Sequence, residues 1–195
     1  MFRTAVLFAA LPLAGACTAQ PQPYGPENSW FHADMRDMPD EYIDGSVSTG
    51  LAEGDVAPNM RLRDQFGDEV ELYQFYGMVV QISLFAAWCP PCRRDAPQLA
   101  AASRDLEEHG AIVLEVMLES RGGEARVEHS ERWAERSGAD HPVLADSALE
   151  TEALLHGGFP TLPLLDRQLR FKDVDAWPLD LDQFENLAVT TRPEQ

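Results

Sequence analysis

The chain has 195 residues, 45% of them hydrophobic, with 13 Gly and 14 Pro, the make-up of a folded domain rather than a disordered or fibrous chain. Fifteen Lys and Arg against 33 Asp and Glu give a net charge of −18, which argues against a nucleic-acid or anionic-membrane surface, because both need clustered cations. Three cysteines are too few for a disulfide-stapled scaffold, so their positions carry more information than their number.

Residues 1–16 hold one cation, Arg3, an apolar run and the small residues Ala14, Gly15 and Ala16 ahead of Cys17, the pattern of a secretory signal. The run is shorter than the roughly 20 residues that span a bilayer, and Pro12 interrupts it, so cleavage is expected rather than a permanent span. Leu13-Ala14-Gly15-Ala16-Cys17 resembles a bacterial lipobox, which implies acylation of Cys17; a plain signal cut nearby would leave it a free thiol. Residues 17–55 carry Pro21, Pro23, Pro26, Pro39, Gly45, Gly50 and Gly54 among acidic residues with no sustained apolar period, and read as a flexible tether. Such a tether would reach on the order of 35 Å. Trp30 and Phe31 break its polarity and either pack on the domain or mark a partner contact.

A domain is expected over residues 56–195. Residues 59–63 and 69–72 are short extended runs around Gln65-Phe66-Gly67-Asp68, a β-hairpin signal. Residues 78–85, Met-Val-Val-Gln-Ile-Ser-Leu-Phe, form a nearly continuous apolar run, the mark of a strand buried on both faces. A helical period follows over 92–108, ended by Gly110, then a second buried strand over 111–118. Residues 124–137 read as an amphipathic helix stopped by Gly138, and Val143-Leu144 as a short strand. Residues 147–156 read as a helix with Ser147 and Glu150 as a capping box. Strands over 161–165 and 169–174, joined at Asp166-Arg167-Gln168, and a final helix over 181–189 complete the chain. This order predicts an α/β fold with helices around one mixed sheet.

Trp88-Cys89-Pro90-Pro91-Cys92 stands where the buried strand meets the helix. A sulfur at a helix N-terminus gains from the dipole and from free backbone N–H groups, which favours the nucleophilic thiolate. Both prolines suit the first turn and lack an N–H, so the Cys92 amide is the first able to donate to Cys89. Cys89 is therefore the expected attacking thiol and Cys92 the resolving one. A zinc site would need a second pair of ligands, and none of His32, His109, His129, His141 and His156 has that spacing; covalent haem would need His where Arg93 stands. An inert structural disulfide remains the alternative.

With these residues the sequence resembles the thioredoxin superfamily, and within it the TlpA/ResA-like group of membrane-tethered thiol-disulfide oxidoreductases. The resemblance runs from about Gly54 to Val189: through Gly54-Asp55-Val56-Ala57-Pro58, the hairpin, Ala87-Trp88-Cys89-Pro90-Pro91-Cys92-Arg93-Arg94-Asp95-Ala96-Pro97, and Gly158-Phe159-Pro160-Thr161-Leu162. It implies a thioredoxin-like fold with an N-terminal β-hairpin, no cofactor or metal, and a cis-Pro160 beside the cysteines. Trp88 and the Phe159 backbone would then meet an extended substrate; Phe159 is otherwise a core aromatic. Thioredoxins place a buried aspartate six residues before the first cysteine, where this chain has Ser83. The TlpA/ResA-like group has a glutamate three residues after the second cysteine, where this chain has Asp95, one helical turn from Cys92. Asp95 is thus a candidate acceptor for the Cys92 proton, or else a solvated helix carboxylate.

The resemblance implies a reductant at the periplasmic face of the cell envelope, lipid-anchored to inner or outer membrane and monomeric. Its partners would be cysteine-containing envelope proteins, apocytochrome c among the candidates, and a membrane thiol electron donor. The alternatives are a disulfide-donating oxidant, a thiol peroxidase and a Sco-like copper chaperone using Cys89, Cys92 and His156.

Overall fold

A computed structural model describes residues 22–120 and 122–191, so the expected leader over 1–16 and Cys17 lie outside the described residues. The central element is β3 (Val79–Ala86), all eight residues of which are buried. Its pleat sends Val80, Ile82 and Leu84 to one side and Val79 and Phe85 to the other, so both faces need a cover. β4 (Ala111–Ser120) lies parallel to it, in register from Val79 opposite Ala111 to Phe85 opposite Met117. α2 (Pro90–Leu106) is the crossover between them, as a parallel pair requires. α3 (Val127–Ser137) then leads to β6 (Val143–Ala145), parallel to β4, and β5 (Gly123–Glu124) pairs briefly with the end of β4.

On the other side of β3 come β7 (Leu164–Leu165) and β8 (Phe171–Asp173), both antiparallel. The hairpin of β1 (Arg61–Arg63) and β2 (Glu69–Glu71) joins the far edge through Arg63 opposite Ala145. The strand order is β2-β1-β6-β4-β3-β7-β8, a mixed sheet of the thioredoxin-like kind. One face is covered by α2 and by α4 (Leu181–Thr190), where Leu99, Leu106, Phe184 and Ala188 meet Val79 and Val113.

The opposite face is covered differently from the sequence expectation. The stretch read as a tether is, from Gln22 on, a strap packed on the sheet. Ala33, Met38 and Tyr42 are buried with Val80, Ile82, Leu84 and Leu114 in one core, and α1 (Asp40–Ile43) carries Tyr42 into it. The Tyr42 hydroxyl donates to the Gln168 carbonyl at 2.6 Å, and its ring meets Tyr73 and Tyr76 edge-on at 5.1 and 5.0 Å. Trp30 stacks on Phe66 at 6.0 Å and donates through Nε1 to Asp64, whereas Phe31 is exposed. These partners lie far away in sequence, so the local Pro/Gly composition gave no sign of them.

The expected helix over 147–156 is also absent; only a 3-10 turn over Glu152–Leu154 forms. The buried Asp146 carboxylate takes the amides of Glu150 and Thr151 and the Thr151 hydroxyl, and Leu149 adopts a left-handed φ of 58°. A side chain that captures nearby amides offers the backbone an alternative to the helical ladder.

Arg167 ties the ends of three elements together. It is buried and donates to the carbonyls of Gly77, His109, Gly110, Ala188 and Thr191, at the ends of α2's 3-10 extension and of α4 and just ahead of β3. Helix C-termini are the negative ends of their dipoles, so a cation there is doubly favoured. Gly110, at φ 65°, leaves it room: a Cβ there would stand 2.9 Å from Nη1 of Arg167. Arg167→Met is expected to lower the unfolding free energy by about 3 kcal/mol, because buried carbonyls lose charged donors, and Arg167→Lys to recover only part of it. Urea denaturation checks both.

Burial pushes the pKa of Tyr42 up to about 12 and that of Tyr73 likewise to about 12. Both phenols are held neutral in the folded state and ionise more readily when unfolded, so the folded state binds more protons above pH 10. Stability is therefore expected to be full below about pH 10 and to fall from there towards pH 12. Chemical denaturation across that range checks the sign, and Tyr42→Phe should flatten the fall.

Candidate functional site

β3 ends at Ala86 and the chain turns through Ala87 and Trp88 into α2, whose N-cap is Cys89. Two bonds hold this turn: the Cys89 amide donates to the Ala86 carbonyl at 3.0 Å and the Ala87 amide to the Glu119 carbonyl at 2.8 Å. Pro90 and Pro91 occupy the first two helical positions, where no amide partner is lost. Cys89 and Cys92 form a disulfide, with Cα atoms 5.3 Å apart, and are 2% and 4% exposed. The Cys92 amide donates to Cys89 Sγ at 3.2 Å. The first amide past the prolines thus serves the sulfur at the N-cap, and the thiolate formed there on reduction would keep this donor and the positive end of the helix.

The surroundings are apolar below and aromatic above. Phe85, Met117, Ala96 and Trp133 share a core with the two cysteines, with Phe85 and Trp133 centroids 4.3 Å apart. Trp88 is 47% exposed, donates through Nε1 to Glu119 Oε2 at 3.0 Å, and meets the Phe159 ring edge-on at 6.0 Å. The Phe159–Pro160 peptide bond is cis. Thr161 and Leu84 exchange two backbone bonds, of 3.1 and 2.8 Å, which fasten the Pro160 loop to β3 beside the start of α2. Phe159, next to the buried Pro160, packs against the core that holds Cys89 and Cys92 and meets Trp88 above it, so the five residues are brought together with Trp88 the most exposed.

Asp95 is 4% exposed, so it is not a solvated carboxylate. Its Oδ1 accepts from Arg94 Nε at 2.9 Å, and its Oδ2 is buried with no hydrogen-bond partner among the described residues. Arg93 donates to the Ala87 carbonyl through Nε and Nη2. His156 takes part in a different arrangement: its amide donates to Thr161 Oγ1.

Sequence reading missed a buried carboxylate. Ser83, at the thioredoxin aspartate position, lies in register with Glu115 on β4. Glu115 is buried, accepts from Trp133 Nε1 at 3.0 Å and sits 3.1 Å from His141 Nε2. The one available signal is that Glu115 is the single acid within the apolar run 111–118.

A dithiol/disulfide pair at a helix start, beneath an exposed tryptophan and a cis-proline loop, is equipped for thiol-disulfide exchange. Comparisons with known proteins agree. The chain is 27% identical over 146 residues to the thiol-disulfide oxidoreductase ResA of Geobacillus kaustophilus, covering 74% of this chain and 81% of that protein. It is 29% identical over 127 residues to the ResA of Geobacillus thermodenitrificans, covering 65% and 70%. Among solved structures it resembles a putative thiol:disulfide interchange protein DsbE from Chlorobium tepidum, with TM-score 0.59 and 26% identity, covering 72% of this chain and 99% of that one. The AhpC/TSA family model matches residues 54–158. The chain belongs to the AhpC/TSA family and is a thiol-disulfide oxidoreductase of thioredoxin-like fold.

Proposed function

We propose that this oxidoreductase is a protein-disulfide reductant of the cell envelope, acting through Cys89 and Cys92 and anchored by an acylated Cys17. The observation that carries the direction is the sparse stabilisation offered to the Cys89 sulfur. Of the two helical positions whose amides can serve an N-cap, one is Pro91 and has no N–H, only the Cys92 amide donates, and the neighbouring arginines are engaged elsewhere, Arg93 on Ala87 and Arg94 on Asp95. A dithiol whose thiolate is weakly stabilised gives up its electrons readily, whereas a strongly stabilised one makes its disulfide an oxidant. The leader and lipobox pattern before Cys17 supports the envelope location.

In the reaction, the Cys89 thiolate attacks one sulfur of a substrate disulfide, forming a mixed disulfide and releasing the other substrate thiolate. Cys92, deprotonated, then attacks Cys89 Sγ, which frees the substrate's second thiol and closes the disulfide found here. Two electrons pass to the substrate, and a membrane thiol donor restores the dithiol. Asp95 takes the Cys92 proton in this reading, supported by a buried Oδ2 with no hydrogen-bond partner among the described residues, one turn along the helix. The substrates are cysteine pairs of envelope proteins, apocytochrome c among them. An extended segment would lie against Trp88 and the Pro160 loop, where the Phe159 main chain bonds to no described residue.

The reduction potential tests the direction. In graded glutathione buffers, read by thiol alkylation and tryptophan fluorescence on the Cys17→Ser protein, a value near about −270 mV is expected; one near about −120 mV would make it an oxidant and end this reading. Asp95→Asn is expected to slow resolution of the mixed disulfide by about a hundredfold near neutral pH. Quenched-flow alkylation should show the mixed disulfide accumulating, as it does permanently in Cys92→Ser. An unchanged rate across pH would remove Asp95 from the mechanism.

A further inference from the structure

We propose that the cleft between α2 and α3 is a docking site for a short peptide segment of the partner protein that carries one or two carboxylates beside a large apolar side chain. The inference builds on the reading that the substrates are proteins, and adds which segments are recognised.

The cleft has a volume of about 490 Å³ and begins beside the redox pair: Ala87 and Arg93, which line it, flank the Trp88-to-Cys92 motif in the chain. Residues 129, 132, 133 and 136 of α3 recur at helical spacing and form its other wall. In a chain with more than twice as many acids as bases, three arginines, Arg93, Arg132 and Arg136, and His129 meet at this one place.

None of the three arginines is ion-paired with a carboxylate among the described residues, whereas Arg36, Arg61, Arg94 and Arg104 are. The guanidinium groups of Arg93 and Arg132 donate to backbone carbonyls, of Ala87 and Glu128, and that of Arg136 donates to no described residue. Nδ1 of His129 is buried with no hydrogen-bond partner among the described residues. Guanidinium groups in this state favour carboxylates, which they can engage through two parallel bonds.

The walls also suit a peptide. Pro97 and Trp133 supply apolar surface, and Pro97 has no N–H to give the Arg93 carbonyl one turn before it. An extended segment brings both a carboxylate for the arginines and an amide for that carbonyl. The arginines stand exposed along the rim, as a laid-in chain requires. The overall charge of −18 repels acidic proteins at a distance, but that repulsion is screened beyond about 8 Å at physiological salt, so the cleft selects a locally acidic segment on a partner of any net charge.

Calorimetry on the oxidised full-length protein tests this without any redox step. The probes are blocked hexapeptides free of cysteine, containing two Phe and either two Glu, two Gln or two Lys. The Glu peptide is expected to bind at least about tenfold more tightly than the Gln peptide, with the difference shrinking as salt rises. The double variant Arg132→Glu with Arg136→Glu should lose this preference and bind the Lys peptide instead, a gain that misfolding cannot produce. Equal binding of the Glu and Gln peptides, or a preference untouched by the double variant, overturns the proposal. So does dimerisation of the wild type that the double variant abolishes, which would assign the cleft to a second copy. Failure of the reductant reading would show in the reduction potential and leave these outcomes unchanged.

Discussion

Everything in this molecule follows from a strand that must be dry on both faces. β3 has no polar side to offer solvent, so its two sets of side chains demand covers of different origin. Helices supply one, because a parallel neighbour can be reached only through a crossover. The N-terminal strap and a 3-10 turn over Leu72–Phe75, ahead of β3, supply the other. Once both are in place, the end of β3 is the point where the buried sheet reaches the surface, and the chain turns there into α2. The disulfide sits at that turn because the strand's end and the helix's start provide, respectively, rigidity and an unsatisfied amide.

The same constraint explains why some of the fold is legible in the sequence and some is not. The apolar run over 78–85 announces a strand whatever its surroundings, and the Cys-Pro-Pro-Cys step announces a helix start, since both are decided by residues adjacent in the chain. The strap is decided by partners far away: Tyr42 by Gln168, Trp30 by Asp64 and Phe66. Its composition is that of a linker, and only Trp30 and Phe31 hint otherwise. Asp146 misleads in the opposite way. The helical pattern after it is real, but one buried carboxylate that captures two amides is enough to override it.

At the site, the cysteines are visible in sequence because their chemistry depends on type and spacing, whereas the Pro160 loop is visible only through the resemblance to a known family. Glu115 and the arginines on α3 are not, because their significance comes from what the sheet and helices bring beside them. Ser83 reads as a lost aspartate until its neighbour across β4 is seen to be an acid. Arg132 and Arg136 lie in a stretch that reads only as an amphipathic helix, and their part in a cleft appears once the opposing wall proves to include Arg93.

Under the proposed acylation of Cys17, the docked strap has a geometric consequence. A free tether would let the domain wander tens of ångströms from the bilayer. With the chain already held at Gln22, whose carbonyl accepts from the Met35 amide at 3.2 Å, the distance from Cys17 to Gln22 can be at most about 18 Å. An acyl group on Cys17 would therefore hold the domain almost on the headgroups, with a restricted choice of which side faces them. Electron exchange with a membrane donor would then be governed by standoff and tilt, and lengthening the chain ahead of the strap would alter encounter without touching the chemistry.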